Sequence, residues 1–358
     1  MIDPGLFSEE DRPSTGSSVR QIFEHGLLTL KRGGQIPNAV TTFQTWGNLN
    51  ETKDNVIWVC HAISGDSNAA GWWPRFIGAG KPLDTDQYFV VCCNVIGGCQ
   101  GSTGPDGFGA TFPFITVEDM VHAQRQVMDS LGIRDIQLVC GGSMGGMQAL
   151  EWSRQEPLRV KRVWATASAG THSAMQIGFN EVARQCIMRD PKWLGGNYAP
   201  DDPPAEGLAL ARMLGHLTYL SPEAFEAKFG RELQTEGVVV PRQDAEFAQR
   251  EVFQVENYLA HQGQKFVARF DANTFIVVSN AIDGYKFEPV SDGSTRFLLT
   301  SFSTDWLYPP VQSELLAAEL TAAGCECRHV NIDSKMGHDA FLLDDQEQAR
   351  VVREFLAD

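Results

Sequence analysis

The chain has 358 residues, 43% of them hydrophobic, enough for one large core with a smaller dependent domain. Asp and Glu number 45 against 29 Lys and Arg, a net charge of −16 that repels polyanions and argues against nucleic acid or anionic membrane as partners. Residues 1–18 are polar and lack a secretory signal, no apolar run reaches membrane-spanning length, and the 8 cysteines include no C-x-x-C pair; the sequence therefore predicts a cytoplasmic protein with reduced thiols and no metal site.

In chain order, residues 1–20 are rich in Gly, Pro, Ser and acids and are expected to form a loose arm. Residues 55–60 (NVIWVC) and 88–93 (YFVVCC) are continuous apolar runs, as in parallel strands covered on both faces. Residues 116–131 place Val117, Met120, Val121, Val127, Met128 and Leu131 at helical spacing, with Thr116 as N-cap and Gly132 closing the C-terminus. A strand over 136–140 (IQLVC), a helix over 144–156 and a strand over 163–167 follow. From about 170 to 284 strand signals thin out and helical patterns take over at 180–190, 207–220, 222–233 and 251–270, interrupted at 199–204 and 237–241. Strands return at Arg296–Phe302 and at 328–332. The β-α-β alternation predicts an α/β fold of the α/β-hydrolase kind, a mostly parallel doubly wound sheet. Residues 1–169 and 285–358 form its core domain, and 170–284 a helical insertion at the carboxyl edge of the sheet, where sites of open α/β sheets lie.

The chemistry centres on Gly141-Gly142-Ser143-Met144-Gly145-Gly146, which follows a buried strand and opens a helix. That context is the one a G-x-S-x-G elbow needs, since small neighbours allow a strained turn that lifts the serine hydroxyl out of the sheet. A serine needs a base, and the fold's usual order is serine, acid, histidine. Of the 8 histidines, His329 and His338 come late enough. His329 sits in an alternating strand pattern, which favours a structural role, whereas His338 lies in the loop after the last strand, where a base on a flexible tip is expected. Asp305 follows the strand Arg296–Phe302 and is the favoured acid; Asp333 is a minor rival. The Met144 amide at the helix N-terminus and the Ile63 amide, in the loop after residue 60, are the expected oxyanion donors, with His61 as a structural residue.

The segments CHAISGDSNAAGWW (60–73), IGAGKPLDTDQYFVV (77–91), NVIGGCQGSTGP (94–105), GGSMGGMQALEW (141–152), FNEVARQ (179–185), LARMLGHLTYLS (210–221), FQVENYLAHQGQKFVARFDANTF (253–275), FSTDWLYPP (302–310) and GHDAFLL (337–343) together resemble the homoserine O-acetyltransferase family over nearly the whole chain. The resemblance implies a Ser143, Asp305, His338 triad, with Arg212 binding the α-carboxylate and Asp339 the α-ammonium of an amino-acid acceptor. It also implies acetyl-CoA as co-substrate with no permanently bound cofactor, L-homoserine as acceptor, methionine biosynthesis as the setting, and a homodimer built through a helical lid. The chain departs from the family's pattern at Asp106 to Ala110, where many members carry a longer insertion, and at Asn68, where a histidine is common. Both departures leave a succinyl donor or a serine acceptor open within the same mechanism, and an esterase, in which water resolves the acyl-enzyme, is the alternative of another class.

Overall fold

The computed structural model describes residues 18–237, 251–290, 294–343 and 346–358. The arm expected over 1–20 lies outside the described residues up to residue 17, as does most of the interruption expected at 237–241.

The strands are β1 (Gln21–Thr29), β2 (Gln35–Trp46), β3 (Val56–Cys60), β4 (Phe89–Cys93), β5 (Ile136–Gly142), β6 (Arg162–Thr166), β7 (Arg296–Phe302) and β8 (Glu326–Ile332). They form one sheet in the order β1-β2-β4-β3-β5-β6-β7-β8. Every neighbouring pair from β4 to β8 is parallel, while β1 and β2 form an antiparallel hairpin that joins β4 at one edge. The hairpin departs from the sequence reading, which places no strand before residue 55. Its physical reason is burial: most of β1 is exposed at the sheet edge, so its sequence carries no continuous apolar run. A minor two-stranded ribbon pairs Ile77–Gly78 with Leu83–Asp84.

In the centre of the sheet the pleat distributes side chains between two cores. Val56, Trp58 and Cys60 of β3 join the layer that includes α1 (Val117–Ser130) and α2 (Met144–Gln155), through Met120, Val121, Met147, Leu150 and Trp152. Ile57 and Val59, one residue out of phase, join Trp73, Trp164, Val351, Val352 and Phe355 on the other face. With every residue of β3 buried, its apolar run is explained by cover on both sides.

The helices α3 (Ala174–Met188), α4 (Ala205–Tyr219), α5 (Pro222–Phe229), α6 (Gln254–Val267) and α7 (Ala272–Asp283) come between β6 and β7; α8 (Pro310–Ala322) and α9 (Gln346–Ala357) follow β7. Ala183, Ile187, Leu208, Ala211, Phe266, Phe270, Ala272 and Phe275 give the inserted helices a third apolar cluster, against which Ile63 packs. The single helix expected over 251–270 is α6, and α7 behind it is a separate helix whose start is marked by Asp271 accepting from the Thr274 amide. The helix expected at 180–190 begins earlier, at Ala174, because Ser173 and Gln176 form a capping box.

Candidate active site

Ser143 links β5 to α2 with φ 56° and ψ −125°, a left-handed conformation that a non-glycine residue adopts only when its surroundings impose it. The imposition is visible: the Ser143 amide donates to Thr166 O at 3.1 Å, and Ser143 O accepts from the Gly146 amide at 2.9 Å and from Ser168 Oγ at 2.8 Å. Gly145 is required by close approach, since a Cβ there would stand 2.1 Å from Cys60 O, where β3 ends beside the elbow. The turn therefore seats the hydroxyl at the carboxyl end of the sheet, with the first α2 amides, which have no intrahelical partner, beside it.

Asp305 follows β7 and is 2% exposed. Its Oδ1 accepts from the amides of Leu307 at 3.0 Å and Tyr308 at 2.8 Å, and its Oδ2 lies 2.9 Å from His338 Nδ1. Because an ionised carboxylate only accepts, His338 carries its proton on Nδ1 and leaves Nε2 as the basic nitrogen. His338, expected on a flexible tip, instead occupies a pinned turn at Gly337–Asp339. The Gly337 amide donates to Thr304 Oγ1 at 3.1 Å, Ser221 Oγ donates to Lys335 O at 2.5 Å, and a Cβ on Gly337 would meet Ser221 N at 2.5 Å. The His338 ring stacks on Tyr308 with centroids 5.0 Å apart. Asp333 is taken up by Ser303 Oγ at 2.8 Å and His329 by Ser301 Oγ at 2.9 Å, so neither rival joins this cluster.

The loop after β3 is held by His61, whose Nε2 accepts from the Val95 amide at 3.1 Å while its Nδ1 bonds to Ala62 O at 2.7 Å. Burial holds its pKa below the ordinary imidazole range, in keeping with a neutral structural ring. Ile63 and Ser143 both line one cleft, together with Arg212, Tyr219, Phe266, Tyr308 and residues of α3 and α7.

Arg212, on α4, lies 4.8 Å over the Phe266 ring and 5.4 Å over Tyr219, which fixes its guanidinium by cation-π contact. Asp339 lies beside the same cluster. Desolvation pushes its carboxyl up to about 6, with the nearby His338 and Arg212 charges opposing the rise. Among the cleft residues not singled out from the sequence are His172, Tyr219 and Tyr308. The Tyr308 hydroxyl sits 2.6 Å from His172 Nε2, and its ring stacks on His338 beside Ser143. Aromatic residues in FSTDWLYPP and LARMLGHLTYLS read as core in a sequence; the fold turns these two into the cleft.

Residues 55–345 match the family model described as the alpha/beta hydrolase fold. A homoserine O-acetyltransferase of Solidesulfovibrio magneticus is 46% identical to the chain, over 92% of this chain and 89% of that protein. The chain belongs to the homoserine O-acetyltransferase family. Among solved structures, the homoserine O-acetyltransferase of Staphylococcus aureus superposes with a TM-score of 0.76 at 27% identity, over 95% of both chains. Esterase E22 superposes with a TM-score of 0.84 at 27% identity, over 94% of this chain and 99% of its own. This homoserine O-acetyltransferase fold is thus similar to that of an esterase.

Proposed function

We propose that the chain transfers an acetyl group from acetyl-CoA to the side-chain hydroxyl of L-homoserine by a ping-pong route through acyl-Ser143, with Ser143, His338 and Asp305 as its triad. The observation that carries the reading is Ser143 on its strained turn and Arg212 lining one cleft, with the Asp305–His338 pair at 2.9 Å reached through Tyr308, a cleft residue on which the His338 ring stacks.

His338 Nε2 takes the Ser143 proton as the serine oxygen attacks the thioester carbonyl, and Asp305 stabilises the imidazolium. The Met144 and Ile63 amides receive the oxyanion, CoA leaves as its thiol with the proton from His338, and the acetyl ester remains on Ser143. The acceptor hydroxyl then gives its proton to His338 and attacks the ester; the Ser143 oxygen leaves and recovers the proton. Arg212 suits the acceptor's α-carboxylate through its bidentate fork, and ionised Asp339 its α-ammonium. An anionic acyl carrier finds local compensation against the acidic surface: Arg212, Lys228 and Arg269 surround His216, whose pKa burial and those three cations together press down to about 2. The exposed apolar side chains Met175 and Val182 on α3 and Leu210 and Leu217 on α4 support a homodimer through the inserted helices.

Thiol release from acetyl-CoA, measured with and without L-homoserine, tests the reading. Transfer requires release that depends on the amino acid; hydrolysis at a comparable rate without it places the chain with the esterases. Substituting succinyl-CoA or L-serine, with products identified by mass, decides the donor and acceptor, and Ser143→Ala is expected to abolish turnover.

A further inference from the structure

The imidazole of His338 is supported from a second direction, and the meaning of that support rests on the reading of Ser143, His338 and Asp305 as a triad. Tyr308 touches both partners of the serine at once. Its amide donates to Asp305 Oδ1 at 2.8 Å, and its ring lies on the His338 imidazole with centroids 5.0 Å apart and planes 19° apart. Tyr219 and Phe341 approach the same imidazole tilted at 6.0 Å and edge-on at 5.6 Å, so Tyr308 is the ring that meets it face to face. At the far end of the Tyr308 side chain the hydroxyl lies 2.6 Å from His172 Nε2, and His172 Nδ1 lies 2.8 Å from Asp283 Oδ1. Asp283, the last residue of α7, is tied in turn to α3: it accepts from Asn180 Nδ2 at 2.7 Å and pairs through Oδ2 with Arg184 Nη1 at 2.7 Å.

The donor inventory gives these contacts a direction. Asp283, ionised in its pair with Arg184, only accepts, so His172 Nδ1–H donates to it; the neutral ring then presents Nε2 as an acceptor, and the Tyr308 hydrogen goes there. Tyr308 is thereby tethered at both ends, by its amide to Asp305 and by its hydroxyl to His172, and the ring between them cannot turn away from His338. When His338 takes the serine proton it becomes a cation over a tyrosine face, within the range of cation–π attraction. That attraction is weak while the imidazole is neutral, so it favours the transition state over the resting enzyme. We propose that Tyr308 is a positioning residue for the triad base, holding the plane of the His338 imidazole and stabilising its protonated form, and that His172 and Asp283 set the Tyr308 ring from the inserted segment. The insertion then acts on the base itself as well as walling the cleft.

The test is the rate at which a fluorophosphonate labels Ser143 in the full chain, a reaction that draws on His338 but on neither acyl carrier nor acceptor. Tyr308→Leu, which removes ring and hydroxyl together, is expected to label about tenfold slower than the unaltered chain, and Tyr308→Phe, which restores the ring, only about threefold slower. His172→Leu is expected to match Tyr308→Phe and to cost nothing further when combined with it, because its effect passes through a hydroxyl that phenylalanine lacks. A residue that merely supports the fold slows labelling whether or not position 308 carries that hydroxyl, so the combined variant separates the two roles. Unchanged labelling of Tyr308→Leu or Tyr308→Phe, or an undiminished loss from His172→Leu in the Tyr308→Phe background, overturns the proposal; if Tyr308→Leu does not fold, the other variants decide it. Failure of the unaltered chain to label, or labelling that survives Ser143→Ala, instead overturns the triad reading on which the proposal rests.

Discussion

At the level of single residues, the roles proposed for Arg212 and Asp339 are what would distinguish an amino-acid acceptor from water. Arg212→Lys keeps the charge but loses the fork and the stacking on Phe266 and Tyr219. Its expected effect is a KM for L-homoserine raised about tenfold with a smaller change in kcat, a loss of roughly 1.4 kcal/mol of binding, read from steady-state kinetics. The role proposed for Asp339 predicts a pH-dependent acceptor step. Its carboxyl titrates near 6, above the reference of 3.8, and only its ionised form suits an ammonium, so KM for the acceptor is expected to fall as pH rises through about 6. The sign for stability is opposite. A folded-state value raised above the unfolded one favours the protonated form, so the contribution is present below pH 3.8 and lost as pH rises through about 6. Asp339→Asn is expected to flatten the KM profile and to gain stability relative to the unaltered chain above pH 6, checked by kinetics and denaturation across pH 4 to 8. The triad candidates were legible because each falls just past a strand, in an order the fold dictates. Tyr308, Tyr219 and His172 were not, because what distinguishes them from core residues is the cleft they face, a property of the folded chain alone.

Among the elements, the central strands and the first helix were readable because burial on both faces writes continuous apolar runs and caps write their own signals. Thr116 and Asp119 form the capping box that opens α1. Strand β1 was illegible for the complementary reason, an edge with little to bury; β2 because its buried positions are interleaved with Thr and Gln rather than forming an apolar run; and α7 because its helical pattern follows α6 after only a short break. A buried polar network also ties α1 and α2 to the loop bearing Ile63. Gln124 Oε1 accepts from Trp58 Nε1 at 2.9 Å and Trp152 Nε1 at 3.0 Å, and Gln124 Nε2 donates to Gln148, which donates to His61 O at 3.1 Å. Gln124→Leu strands two buried indole donors and is expected to cost about 3 kcal/mol, seen as a lowered denaturant midpoint at unchanged m-value. A weaker oxyanion loop should accompany it as a lower kcat.

For the molecule as a whole, the inserted helices do two things that the sheet cannot. They enclose the cleft beside Ser143, and they present exposed apolar side chains at positions such as Leu210, which is 50% exposed. Leu210→Asp is expected to shift a homodimer toward monomer in light scattering coupled to size exclusion; an unchanged dimer mass would place the contact elsewhere. The central claim is that an acyl group rests on Ser143 between two half-reactions. Its most direct measurement is intact-protein and peptide mass spectrometry after mixing with acetyl-CoA alone, then with L-homoserine. The account requires one acetyl group on the Ser143 peptide that disappears when the amino acid is added, with O-acetyl-homoserine as the product. An unmodified Ser143 under these conditions, with acetyl transfer persisting in Ser143→Ala, would contradict it.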